Sequence, residues 1–241
     1  MRTLAVLPVK RFESAKQRLS AHLRPESRSA LAEAMLGDVL AALARARSLD
    51  AIVVVTSEPR AALAVSEARA ELLPDPGEAG QSAAAGIGIA QAIEAGYERV
   101  LLVPGDTPLL AADDVDRMLA RAGEAPPRLA IVADRHGTGT NALVTAPPDA
   151  VAPSFGPGSL DRHCGAAHAA GLIPTVARVP ALEHDVDTPA DLAALAERLR
   201  VTRSAAAPRT RAALESIKGG YLDGGGSLAR DVAAARYAAE V

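Results

Sequence analysis

Tryptophan is absent from the 241 residues, and two phenylalanines and three tyrosines are the whole aromatic complement. Single-stranded nucleic acid is usually held on aromatic platforms, which this chain scarcely offers. Positive charge is not in excess either: 26 Lys and Arg face 29 Asp and Glu, a formal net charge of −3. No global field gathers a polyanion, so nucleic acid is not an expected partner. A single cysteine, Cys164, excludes an internal disulfide and every Cys-rich zinc framework. No apolar run approaches membrane-spanning length, and Met1 to Lys10 holds too few apolar residues for the h-region of a signal peptide. The expectation is a soluble protein of the reducing cytoplasm, without a membrane partner.

Hydrophobic residues, at 49% against 23% charged, are ample for a buried core. Short β-rich apolar runs at Thr3 to Val9, Ala51 to Thr56, Arg99 to Val103, Leu129 to Ala133 and Thr175 to Val179 read as strands. Ala/Leu/Arg segments of helical period separate them. Ser27 to Ala46 is the clearest, with Leu31, Met35, Leu36, Val39 and Leu43 along one face. Others are expected at Gln81 to Ala95, Asp113 to Arg121, Ser159 to Ala170 and Thr188 to Arg198. Strands apolar on both faces, alternating with helices, imply an α/β sandwich around a mostly parallel sheet. After Arg200 the composition shifts to Ala, Arg and Gly, with Gly224 to Gly226 in a row. Residues 1–200 therefore read as the domain and 201–241 as an appendage. Short helices at Arg209 to Ile217 and Ser227 to Ala239 would pack on the domain, on the second subunit of a homodimer, or on nothing.

Ligands of such sheets bind beyond the carboxyl ends of the strands, which directs attention to five loops: Pro8 to Leu19, Pro74 to Ser82, Pro104 to Pro108, Arg135 to Asn141 and Ser154 to Ser159. In Val103-Pro104-Gly105-Asp106-Thr107-Pro108 a strand delivers the Asp106 carboxylate onto a Pro/Gly-shaped turn, well placed for Mg²⁺ under a nucleotide. Capping of the next turn is the plainer role open to the same residue. Asp185-Val186-Asp187-Thr188-Pro189 offers two carboxylates on one side if extended, although its spacing equally suits a helix start. Lys10, Arg11, Lys16 and Arg18 follow the first strand, where cations would neutralise a triphosphate or departing pyrophosphate; a solvated basic turn is the alternative. The Gly-rich loops Asp134 to Leu143 and Ser154 to Ser159 could offer backbone N–H groups to an anion, or be turns. Gly86-Ile87-Gly88 lacks the third glycine of a dinucleotide fingerprint and reads as packing. His163 and His168, five apart on a helix, do not share a face as a metal pair would.

Taken in order, Pro8-Val9-Lys10 with Lys16 and Arg18-Leu19, Gly105-Asp106-Thr107-Pro108, Gly139-Thr140-Asn141-Ala142-Leu143, Phe155-Gly156-Pro157-Gly158-Ser159 and Asp185-Val186-Asp187-Thr188-Pro189 resemble the guanylyltransferases of coenzyme F(420) biosynthesis. The likeness runs from about Met1 to Arg200. It implies the nucleotidyltransferase (GT-A-like) form of a Rossmann-like three-layer sandwich, and activation of phosphoenolpyruvate or 2-phospho-L-lactate with GTP. By the same resemblance Lys16, Arg18 and Asp106 are catalytic. Lys10, Lys16, Arg18, Gly80, Ser82 and Asp106 bind the nucleotide, Thr140, Asn141, Gly156 and Ser159 hold the acceptor, and Asp106, Asp185 and Asp187 hold Mg²⁺. Gly80-Gln81-Ser82 stands where the family usually shows Gly-Leu-Asn. Other nucleotidyltransferases, acting on a molybdenum cofactor or a sugar phosphate, share the general pattern, as does a nucleotide-binding protein without turnover. Every motif lies upstream of residue 201, so the tail is expected to be dispensable for chemistry.

Overall fold

The computed structural model describes residues 1–121, 128–201 and 206–222. Seven strands form one sheet: β1 (Thr3–Val9), β2 (Ala51–Thr56), β3 (Glu71–Pro74), β4 (Arg99–Leu102), β5 (Arg128–Ala133), β6 (Thr140–Ala146) and β7 (Thr175–Ala177), in the spatial order β3-β2-β1-β4-β6-β5-β7. Among the described strands only β6 runs against the rest, pairing antiparallel with β4 and β5. The helices are α1 (Pro25–Leu43), α2 (Ala61–Glu67), α3 (Gln81–Glu94), α4 (Ala112–Arg121), α5 (Ser159–Ala169), α6 (Pro189–Val201) and α7 (Pro208–Leu222). One-turn 3₁₀ segments occupy Phe12–Ser14 and Gln17–Leu19.

Side chains alternate across each strand with a period of two, and that alternation builds two cores. Ala5, Leu7, Ile52, Val54, Leu101 and Val144 face α1, α2 and α4. Leu4, Val6, Val53, Val55, Val100 and Leu102 face α3 and α5. The expected three-layer α/β sandwich is present, with the elements expected within residues 1–200 lying within a few residues of their bounds. Gly88 of α3 lies directly on β1, where a Cβ would come within 2.2 Å of Val6 Cγ1, so this glycine belongs to packing.

Three elements escape the periodicity. β3 has four residues and ends on Pro74 at the sheet edge, and α2 is a seven-residue Ala-rich segment; both are too short to show a period. β6 is hidden behind Gly137 and Gly139. These residues read as a loop but form the hairpin turn from β5, closed by Asp134 N–H donating to the Gly139 carbonyl at 3.1 Å.

The apolar stripe of α1 is also divided. Leu36, Val39 and Leu43 face the sheet, whereas Leu31 and Met35 enter a third cluster with Leu192, Leu195 and Leu199 of α6 and Leu214 and Ile217 of α7. The helix expected at Arg209 to Ile217 is therefore docked on α1. Asp38 of α1 accepts the Arg209 and Thr210 backbone N–H groups at 3.2 and 2.8 Å, capping α7 behind Pro208. Gly37 admits the Arg209 side chain, since a Cβ there would stand 2.6 Å from Arg209 Cδ. The helix expected at Ser227 to Ala239 lies outside the described residues.

Candidate functional site

A cleft of about 630 Å³ opens along the carboxyl ends of β1, β2, β3 and β4. Its central feature is Lys16, placed between the two 3₁₀ turns in the left-handed conformation, φ 55° and ψ 37°. Such a backbone costs a non-glycine residue of order 1–3 kcal/mol and persists only where its neighbours enforce it. Here Phe12 and Leu19, both fully buried, anchor the turns on either side. Phe12 N–H also donates to Glu58 Oε2 at 2.7 Å, and Arg28 Nη1 donates to Gln17 Oε1 at 2.9 Å. The strain points the Lys16 side chain inward.

Lys16 Nζ donates to Asp106 Oδ2 at 2.5 Å and to Asp187 Oδ1 at 3.0 Å, with its side chain only 6% exposed. Burial works to lower the ammonium pKa, but the charges and hydrogen bonds of Asp106 and Asp187 outweigh it and hold it above the ordinary lysine range. Lys16 is thus a fixed cation. Burial likewise opposes ionisation of Asp187, yet the Lys16 charge and hydrogen bond, with Arg18 and Lys10 beyond, pull its pKa below the usual value. Asp185 goes the other way, raised by burial and by the charges of Asp106 and Asp187, although Asn141 Nδ2 donates to its Oδ1 at 3.2 Å.

Asp106, Asp185 and Asp187 each present a carboxylate oxygen within 4.8 Å of the others. Mg²⁺ binds oxygen at about 2.0–2.1 Å, so ligands to one ion lie roughly 3 to 4 Å apart, within reach of this cluster. Asp106 Oδ1 is buried without a hydrogen-bond partner, and an orphaned carboxylate oxygen calls for a cation or water. Across the lining, Lys10, Arg11, Lys16 and Arg18 face five carboxylates, Asp75, Glu78, Asp106, Asp185 and Asp187. A divalent cation would reverse that balance for an incoming triphosphate, and the residues fit one.

The structure brings Lys10, Lys16, Arg18, Gly80, Asp106, Asp185 and Asp187 to the cleft. Gly80 stands ahead of α3 at φ 100°, a conformation that favours glycine, and turns the helix N-terminus toward the cleft. Ser82, Thr140, Asn141, Gly156 and Ser159 do not line it. Ser82 Oγ accepts the Phe155 N–H at 2.8 Å. Ser159 Oγ, buried, accepts the Thr140 N–H at 2.7 Å, and Thr140 Oγ1 pairs with His163 Nδ1 at 2.9 Å. These contacts join the two Gly-rich loops into one unit, which Asn141 ties to Asp185 and Ser82 ties to α3.

His163 completes that unit. It is fully buried, and its Nε2 accepts the Ser154 N–H at 2.9 Å, which assigns the ring proton to Nδ1. Burial, with Arg162 beside it, pushes the pKa down to about 4. The histidine is a neutral structural pin, as its helical spacing had suggested. Ser57, Asp75, Glu78 and Gln81 also line the cleft; the last three lie in the loop Pro74 to Ser82 that the sequence points to, without a role assigned there, and Ser57 lies outside every loop it points to. The signal for Ser57 is its position directly after β2, and the signal for Asp75 is its position directly after the four-residue β3, which is too short to show a period.

With this geometry in hand, comparison with known proteins is specific. Residues 3–199 match the family model described as guanylyl transferase CofC like. A phosphoenolpyruvate guanylyltransferase from Conexibacter woesei is 46% identical over 217 residues, spanning 90% of this chain and 97% of that protein. Another of that name, from Sphaerobacter thermophilus, is 40% identical over 196 residues, 81% of this chain and 93% of that protein. The solved structure of a nucleotidyl transferase from Methanothermobacter thermautotroptrophicus superposes with a TM-score of 0.60 at 17% identity, covering 83% of this chain and 99% of that one, a likeness of fold. The chain belongs to the CofC-like guanylyl transferase family.

Proposed function

We propose that the protein transfers GMP from GTP to a small phosphorylated carboxylic acid with release of pyrophosphate, as a step of coenzyme F(420) biosynthesis. Phosphoenolpyruvate is the first choice of acceptor, following the names of the relatives, and 2-phospho-L-lactate is the alternative. The observation that carries the reading is the fixed Lys16 cation beside the Asp106, Asp185 and Asp187 carboxylates at the strand ends.

In the reaction an oxygen of the acceptor phosphate forms a bond to the α-phosphorus of GTP, and the bond from that phosphorus to the β-bridging oxygen breaks. Pyrophosphate departs with the electron pair. A phosphate oxygen is already anionic near neutral pH, so no general base is required, and none is assigned. Lys16, held charged, stabilises the negative charge that builds on the transferring and departing groups, and Arg18 and Lys10 extend this along the triphosphate. Positioning supplies the rest. Asp106, Asp185 and Asp187 would hold a divalent cation, for which we propose Mg²⁺; when bound it neutralises phosphate charge as a Lewis acid.

The joined loops around Thr140, Asn141, Gly156 and Ser159 are the proposed acceptor side. Support comes from Asn141, whose amide connects them to Asp185. Residues 1–200 carry every group assigned to chemistry, while 201–241 contributes α7 as a support. A cytoplasmic location suits dissolved substrates, and no described helix is long and apolar enough to cross a membrane.

The test is pyrophosphate release with each nucleoside triphosphate crossed against phosphoenolpyruvate, 2-phospho-L-lactate and sugar phosphates. Turnover with GTP and phosphoenolpyruvate is expected. Preference for phospholactate would change the acid, and turnover only with a sugar phosphate or a pterin phosphate would overturn the proposal.

A further inference from the structure

Among the described residues five carboxylates line the cleft, and four already have a task. Asp106 and Asp187 bind Lys16, Asp185 joins them in one carboxylate cluster, and Glu78 Oε1 accepts Arg11 Nε at 2.8 Å. Asp75 is the fifth. It is only 8% exposed, lines the cleft, and makes no ion pair among the described residues. Its place is nonetheless closely fixed. Asp75 N–H donates to the Thr56 carbonyl at 3.3 Å, Ser57 Oγ donates to the Asp75 carbonyl at 2.5 Å, and Glu78 N–H donates to Asp75 Oδ1 at 3.1 Å.

We infer that Asp75 is the specificity-determining residue that reads the base, accepting the N1–H and the 2-amino group of guanine on its carboxylate. This deepens the guanylyltransferase reading and rests on it. Two things support the assignment. The first is distance along the sheet: Asp75 follows β3, two strands from β1 and three from β4, where Lys16 and Asp106 stand. At about 4.8 Å per strand that offset is roughly 10 to 14 Å, which suits a nucleotide laid across the strand ends with its phosphates at Lys16 and its base at β3. Between them lie Ser57 and the N-terminus of α3.

The second is chemistry. The Watson–Crick edge of guanine carries two adjacent donors, and a carboxylate is the acceptor-only side chain that meets both. Adenine presents a bare N1 acceptor there, which a fixed carboxylate repels. Asp75 Oδ1 takes the Glu78 N–H, and the remaining lone pairs of the carboxylate would accept two N–H donors from the ligand. Ser82 Oγ is committed to the Phe155 N–H, which takes it out of the reading of the base.

The experiment compares GTP, inosine triphosphate and xanthosine triphosphate in the full-length protein, by kcat/KM with phosphoenolpyruvate and by calorimetric binding. Inosine lacks the 2-amino group, and xanthine carries an acceptor oxygen in its place. The wild type is expected to prefer GTP over inosine triphosphate by roughly tenfold to a hundredfold, the effect of one hydrogen bond to a charged group. Asp75→Asn keeps Oδ1 as acceptor for Glu78 N–H and turns the other oxygen into a donor. It should reverse the order of GTP and xanthosine triphosphate. Asp75→Ser, a second variant with a shorter neutral side chain in case the first folds poorly, should bring the GTP to inosine triphosphate ratio close to one. Each readout is a ratio within one preparation, so an inactive fraction cancels.

Retention of the wild-type order by Asp75→Asn, or of the wild-type ratio by Asp75→Ser, would overturn the inference. So would loss of all three nucleotides by variants that still unfold like the wild type. If the wild type releases no pyrophosphate with any phosphorylated acid, the guanylyltransferase reading fails, and the binding ratios still decide the role of Asp75.

Discussion

Lys16 Nζ joins Asp106 and Asp187, which lie 90 and 171 residues further along the chain, at 2.5 and 3.0 Å. One cation therefore holds the loop after β1 against the loop after β4 and the entry to α6. Lys16→Ala is expected to lower kcat/KM for GTP by about a hundredfold to a thousandfold, the range for removing a fixed donor from a developing anion. The acceptor's KM should move less. An unchanged KM for GTP together with unchanged turnover would leave Lys16 as a structural ion pair with no part in catalysis.

The orphaned Asp106 Oδ1 and the oxygens of Asp185 and Asp187 make a second prediction. Asp106→Asn removes a carboxylate charge that would hold the cation and weakens the pairing of Lys16, so turnover should fall by orders of magnitude and the unfolding transition should move down while the packed core is kept. Asp187→Asn should act in the same direction. Calorimetric titration with Mn²⁺ or Mg²⁺ reads the cause directly. Near-normal activity of both variants at limiting Mg²⁺ would remove the metal assignment.

His163 predicts how stability responds to acid. Its folded pKa is about 4 against an ordinary 6.5, so the unfolded chain binds more protons between these values and stability falls as pH drops through that window. At roughly 1.4 kcal/mol per pH unit the loss amounts to about 3 kcal/mol by pH 4. Denaturant unfolding at pH 7 and pH 4.5 measures it. His163→Gln should be less stable at pH 7 but show a shallower decline, and an equally steep decline would place the effect on other groups.

Much of this was open to reading because strand ends are simple to find. The runs at Thr3 to Val9 and Arg99 to Leu102 announce themselves by β-branched and apolar content, and Lys10, Lys16 and Asp106 follow from them. What stayed hidden depends on contacts between distant segments. Nothing local to Lys16 says that its backbone is left-handed, because Glu58, Arg28 and the burial of Phe12 and Leu19 impose it. Thr140 and Ser159 read as free donors in Gly-rich loops, and only the fold shows them bonded to each other. The α1 stripe looked like one face because a helical period cannot say that two different partners divide it.

That division leads to the last prediction, which concerns the tail. By motif position alone, residues 201–241 are dispensable. The structure argues otherwise, because Leu214 and Ile217 of α7 share one cluster with Leu19 and Val186. Leu19 closes the turn that carries Lys16 and Arg18, and Val186 lies between Asp185 and Asp187. Deleting residues 202–241 would uncover Leu31, Met35 and Leu199 and withdraw support from both loops at once. Burial of each large apolar side chain is worth about 1.5–3 kcal/mol, so the truncated protein should unfold at clearly lower denaturant, with reduced turnover and a raised KM for GTP. Asp38→Ala is the gentler form of the same change. It leaves the Arg209 and Thr210 N–H groups uncapped, at a cost of about 1 kcal/mol, and should shift stability in the same direction by less. A truncated chain with wild-type turnover and an unaltered unfolding transition would show that α7 rests on the domain without supporting the site.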